Sequence, residues 1–99
     1  MAVTILSDSD SWIIPPRSPK ESAYRIVRRA ADRWAVQATT AERYTEGGDW
    51  FAPFASVLTA EEACTALLRR MATQIKDRAY LDAVVQEITR VTGAPAPTQ

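Results

Sequence analysis

The sequence has no histidine, a single cysteine and only three glycines among its 99 residues. Without histidine, no side chain has an ordinary pKa near neutrality, so acid–base catalysis would fall to carboxylates. The lone Cys64 cannot form an internal disulfide. We therefore expect a protein without enzymatic activity, with no catalytic residue, no cofactor and no metal.

An excess of charge of one sign and a long apolar run are also missing. Twelve basic and twelve acidic residues give a formal net charge of zero, so the whole-molecule field does not attract nucleic acid. The apolar runs fall far short of the roughly 18 residues of a membrane helix. The N-terminus lacks the basic and apolar regions of a signal peptide. We expect a cytoplasmic protein that enters no membrane and for which nucleic acid is the less favoured partner.

The composition is that of a folded domain, with 46% hydrophobic and 24% charged residues. Its proline-rich and polar segments divide the chain into three parts. We expect an extended N-terminal arm over residues 1–17, a single helical domain over residues 18–93 and a disordered tail over residues 94–99.

The segment that begins at Ser18 has strong helix signals. Ser18 is a suitable N-cap, Pro19 suits the first helical position, and Glu21 completes a capping box. No further proline or glycine follows until Gly47. Apolar residues recur at spacings of three and four, at Ala23, Ile26, Val27, Ala30, Trp34, Ala38, Ala41 and Tyr44. The pattern predicts one helix roughly 42 Å long, which a small domain covers only with help from a partner or a second copy.

Further capping signals predict three more helices. A short helix is expected between Asp49 and Leu58, limited by Pro53. Thr59 with Glu62 forms a capping box for the second long helix, and Asp77 can cap the third, which ends at Gly93. The predicted fold class is all-α: a small bundle of three long helices plus one short helix, with an extended N-terminal arm.

Metal and thiol chemistry have weak signals. Glu42, Glu46 and Asp49 could face one way on a helix as ligands for a hard cation, although a solvated acidic helix end explains them better. Cys64 falls in register with Leu67 and Met71, which favours a buried structural cysteine over a nucleophile.

The arginines of the first predicted helix are the main candidate binding residues. Arg25, Arg29 and Arg33 are spaced by four, and Arg28 is adjacent. Such a row can bind phosphates or an acidic protein surface. The alternative interpretation is a solvated face whose arginines pair with neighbouring acids.

Trp12 and Ile13 are the candidate anchor of the N-terminal arm. They precede Pro15 and Pro16, which hold the chain extended, so that little conformational entropy would be lost on docking. The same aromatic side chain could instead close one end of the bundle.

Together these features favour a non-enzymatic protein-binding module: a small regulatory or accessory subunit, adaptor or inhibitor of a larger complex. We expect a protein partner with an acidic surface, and a homodimer through the first helix is compatible with the pattern. The alternative is a small nucleic-acid-binding regulator that uses the arginine face. A carboxylate-dependent enzyme or metal binder is the least favoured hypothesis. The predicted partner-binding residues are Trp12, Ile13, Arg25, Arg28, Arg29 and Arg33.

Overall fold

The structure is a computed structural model that describes residues 3–48, 50, 55–57 and 59–93. Within these residues it contains a five-stranded antiparallel sheet and three helices. The strands are β1 (Leu6–Asp8), β2 (Ser11–Ile14), β3 (Ala23–Ala30), β4 (Arg33–Thr39) and β5 (Ala55–Val57). The helices are α1 (Ala41–Glu46), α2 (Ala60–Gln74) and α3 (Arg78–Thr92). The strands lie in the sheet in chain order, and α2 and α3 pack against one of its faces.

The prediction of an all-α helical bundle is therefore wrong, because the long first helix does not form. Its supposed start is a turn, in which the Glu21 N–H donates to the Ser18 carbonyl oxygen at 3.1 Å. Pro19 takes the second position of this turn, which proline favours. Serine, proline and glutamate in this order suit a helix start and a turn equally well, and here they form the turn. The predicted overhang, and a homodimer through that helix, do not arise.

The predicted first helix is replaced by the β3–β4 hairpin. In β3, Tyr24 and Ile26 are buried while Arg25 and Val27 are only half-buried, which is the period of two that a strand requires. Strand β4 hides this period, because its residues from Trp34 to Thr39 are buried on both faces of the sheet. Helix-forming alanine and arginine residues and a turn without glycine strengthened the wrong interpretation.

The N-terminal arm is likewise part of the sheet. Strands β1 and β2 form an antiparallel hairpin in which Leu6 is the partner of Ile13. The expectation that the residues before Pro15 are extended is confirmed, but β2 is extended because it pairs with β3.

The predicted short helix between residues 49 and 58 is corrected where the structure describes it. Residues Ala55–Val57 form β5, which pairs with β4, while Phe51, Phe54 and Leu58 lie outside the described residues. The short helix is instead α1, which begins after Thr40 and ends at Gly47, whose φ of 74° is left-handed. The predicted tail over residues 94–99 also lies outside the described part of the chain.

The two C-terminal helices are confirmed together with their caps. The Thr59 hydroxyl accepts a hydrogen bond from the Glu62 N–H at 3.1 Å, and an Asp77 carboxylate oxygen accepts one from the Tyr80 N–H at 3.1 Å. Gly93 ends α3 with a φ of 74°. None of the described helices is long and apolar enough to cross a bilayer.

The core lies between the sheet and these two helices. Its strand residues include Ile14, Tyr24, Ile26, Trp34 and Val36, and its helix residues include Cys64, Leu67, Met71, Leu81, Val84 and Ile88. Among the described residues, no long helix packs on the opposite face of the sheet.

Candidate functional site

The strand register divides the side chains of the sheet between two faces. Trp12, Ile26 and Val36 are aligned across β2, β3 and β4 and lie on the face that packs against α2 and α3. Their neighbours along each strand point the other way. We call this second surface the open face, formed by Leu6, Asp8, Ser11, Ile13, Ala23, Arg25, Val27, Ala35, Gln37, Thr39 and Ser56. Four of these residues, Ala23, Ala35, Gln37 and Thr39, are buried, so the accessible part of the open face lies on β1, β2 and the adjoining residues of β3.

Arg25 lies in the middle of the open face and is held in place. Its Nε donates a hydrogen bond of 2.8 Å to Gln37 Oε1, and its Nη2 donates to the same oxygen. Its Cζ lies 4.6 Å from the ring centroid of Trp50, which in turn contacts Tyr44 edge-on at 6.1 Å. A hydrogen bond and a cation–π contact therefore fix the guanidinium before any ligand arrives.

Arg29 lies close enough to Arg25 to affect its pKa. Partial burial, and after it the positive charge of Arg29, lower the pKa of Arg25 from its usual value. Both directions are expected, since desolvation and a like charge each disfavour the protonated guanidinium. Arginine still remains charged at neutral pH.

A shallow depression of about 370 Å³ lies between these two arginines. Its lining is Asp10, Ser11, Arg25, Val27, Arg29 and Gln37. The described residues show no ion pair for Arg25 or Arg29. The depression thus combines two cationic groups with a carboxylate, a hydroxyl, an amide and an aliphatic side chain.

The other two predicted arginines lie apart from this depression's centre. Arg28 forms an ion pair within the chain, in which its Nη2 lies 2.6 Å from Asp10 Oδ1. Its backbone N–H also donates to the Asp10 carbonyl oxygen at 2.7 Å. Arg33 is exposed at the first position of β4, opposite Ala30 at the end of the hairpin. The four arginines that a helix would place on one face therefore lie at different places on the β3–β4 hairpin.

The two predicted anchor residues lie on opposite faces. Trp12 is half-buried and stacks on Trp34, with 5.5 Å between ring centroids and 20° between ring planes. Ile13 is on the open face, where it is the cross-strand partner of Arg25. The structure thus brings Ile13 and Arg25 together and places Trp12 against the core.

Sequence reasoning missed Gln37, Val27 and Trp50 as companions of Arg25. The signal for Gln37 is its cross-strand position opposite Arg25, which becomes visible only once the β3–β4 register is known. Within a helical interpretation, residues 25 and 37 lie more than three turns apart.

The remaining candidates form no reactive centre among the described residues. No three acidic or cysteine side chains come together there in a way that could hold a metal ion, and Asp49 lies outside that part of the chain. Glu42 and Glu46 are exposed on α1. Cys64 is buried, and this burial raises the pKa of its thiol despite a weak contact with Thr92.

Comparison of the chain with protein-family models, with curated proteins and with solved structures gives no match.

Proposed function

We propose that the protein is a non-enzymatic protein-binding module whose open face binds an acidic surface of a larger complex, as a regulatory or accessory subunit, adaptor or inhibitor. The observation that carries this proposal is the pair Arg25 and Arg29. Both arginines line one depression, and neither forms an ion pair among the described residues. An acidic partner would relieve the electrostatic repulsion between the guanidinium groups of Arg25 and Arg29.

The surroundings of Arg25 support a protein partner. Arginine and aromatic residues are enriched in protein interfaces, and Arg25 lies over Trp50. A guanidinium that is already fixed by Gln37 loses less conformational entropy on binding than a free one. Ile13 and Val27 add half-buried apolar area on either side of it.

The alternative of a nucleic-acid-binding regulator uses the same arginines and is less well supported. Sheets that bind single-stranded RNA stack bases on aromatic rings carried by their central strands. The open-face positions of the described strands carry no aromatic side chain.

A cytoplasmic location belongs to the same proposal and is supported by the low cysteine content. A homodimer is a further arrangement that this surface allows, and the experiment below would detect it as a crosslink between two copies.

Site-directed photo-crosslinking in native lysate tests the proposal. A photoreactive phenylalanine analogue at Leu6 would report on the open face, and the same analogue at Arg69 on α2 would report on the opposite side. We expect a discrete, nuclease-resistant protein adduct from position 6, lost when Arg25→Gln and Arg29→Gln are added. Equal adducts from both positions, or adducts removed by nuclease, would contradict a protein-binding open face.

A further inference from the structure

The open face carries an apolar side chain and a fixed cation on neighbouring strands in one row. Leu6 pairs with Ile13, Ile13 pairs with Arg25, and Arg25 pairs with Gln37. Leu6 is 46% exposed and is the one large hydrophobic side chain among the described residues that is so exposed. Adjacent strands lie about 4.8 Å apart, so the Cα atoms of Ile13 and Leu6 lie roughly 5 and 10 Å from that of Arg25 along this row.

From this row we propose that the open face recognises an acidic partner segment in which a carboxylate side chain lies about 5–10 Å from an aliphatic side chain. This inference rests on the proposed function and specifies the partner chemistry. The carboxylate binds between Arg25 and Arg29, and the aliphatic side chain packs on Ile13 and Leu6.

The geometry of the arginine pair fits a carboxylate. Arg25 uses Nε and Nη2 for Gln37, and its Nη1 makes no hydrogen bond within the described residues. Arg25, Arg29 and Ser11 line the same depression. Charge-assisted hydrogen bonds from two guanidinium groups can hold both oxygens of one carboxylate.

The neighbouring acids favour a monoanion over a phosphate dianion. Asp10 lines the depression next to Arg29, and Asp8 is the cross-strand partner of Ser11. Both are exposed carboxylates, so a doubly charged ligand would meet more repulsion here than a singly charged one.

The required spacing occurs in common peptide conformations. Side chains two residues apart on one face of a strand are separated by about 6.6 Å, and residues four apart on a helix by about 5–6 Å. A segment with a glutamate or aspartate at one such position and leucine, isoleucine or valine at the other matches the row.

A phage-displayed library of random 12-residue peptides, selected on the full chain, tests this inference. We expect selected peptides to be enriched in one acidic and one aliphatic residue two or four positions apart. Synthetic versions should bind about tenfold more weakly to the Arg29→Gln variant. The exposed side chain of Arg29 makes this variant safe for folding, and the Arg69→Gln variant gives the same charge change on α2 as a control.

The possible outcomes separate the inference from the proposed function. Selected peptides that depend on Arg25 or Leu6 but lack an acidic residue would overturn the inference and the acidic partner of the proposed function, and would leave only a protein-binding open face. Peptides whose binding is unchanged by Arg29→Gln, Arg25→Lys and Leu6→Ser would overturn both. A further peptide carries phosphoserine in place of the acidic residue. If it binds more strongly than the original acidic peptide, the preference for a monoanion is overturned.

Discussion

The guanidinium of Arg17 lies 3.7 Å from the ring centroid of Tyr80, so the loop between β2 and β3 contacts the first turn of α3. The same guanidinium binds Glu21, with 2.7 Å between Nη2 and Oε2, and its Nη1 lies 3.7 Å from Asp77 Oδ2. One side chain thereby joins the loop between β2 and β3 to the N-cap and the first turn of the last helix.

Replacing Arg17 should therefore lower stability more than replacing an isolated surface arginine. Arg17→Ala removes a partly screened ion pair and a cation–π contact, and we expect a loss of about 1–2 kcal/mol in the free energy of unfolding. Urea denaturation followed by circular dichroism measures it. The Arg69→Ala variant on α2 is the matched control, and an equal loss in both would show that the Tyr80 contact contributes nothing.

The ion pair with Arg17 also predicts a dependence of stability on pH. The hydrogen bond from Arg17 lowers the pKa of Glu21, so the native state favours the carboxylate. Its stabilising effect is present above the ordinary glutamate pKa and is lost as the pH falls through the lowered value. The difference in unfolding free energy between the wild type and Glu21→Gln should thus shrink between about pH 6 and about pH 3. A difference that stays constant over this range would contradict the pairing.

Because the rings of Trp12 and Trp34 are stacked, we expect the main role of Trp12 to be stabilisation of the fold. Trp12→Ala should lower the free energy of unfolding by about 2–3 kcal/mol, below the value for a fully buried tryptophan because Trp12 is half-buried. Trp12→Phe keeps a stacking ring and should lose less than half as much. The near-ultraviolet circular dichroism of the tryptophans should change in both variants. Unchanged stability in Trp12→Ala would mean that this ring is free to contact a partner.

Burial of Cys64 predicts a thiol of low reactivity. Because its pKa is raised by burial, the reactive thiolate is scarce in the native protein. Reaction with a thiol-specific disulfide reagent at about pH 8 should be at least about 100-fold slower in the native protein than in denaturant, since access requires opening of the core. Comparable rates in both conditions would contradict a structural role.

Local signals in the sequence were sufficient for α2 and α3. Their caps at Thr59 and Asp77 act within three residues, and their apolar period of 3.6 is visible because one side of each helix faces water. The sheet was not predictable in this way. Its evidence is non-local: Arg25 meets Gln37 only through pairing of β3 with β4, and β4 is buried on both faces, which hides the period of two.

The same reason explains how the predicted site residues are distributed over the fold. Charge alone singles out Arg25 and Arg29, which line one depression, and their role in binding stays a prediction. Spacing by four also grouped Arg28 and Arg33 with them, but strand geometry directs Arg28 to Asp10 and places Arg33 at the hairpin end. The charge of each residue can be read from the sequence. Which residues lie together depends on whether the segment is a strand or a helix.

A nuclear magnetic resonance titration of the isotopically labelled protein tests the central claim most directly. One ligand is a peptide in which pairs of glutamates alternate with pairs of leucines, which places glutamate and leucine two positions apart, and the other is a single-stranded oligonucleotide of equal charge. The account predicts that the peptide shifts the signals of Ile13, Arg25 and Val27, including the Arg25 side-chain Nε–H, and that the oligonucleotide binds more weakly. Tighter binding of the oligonucleotide, or peptide-induced shifts confined to α2 and α3, would contradict it.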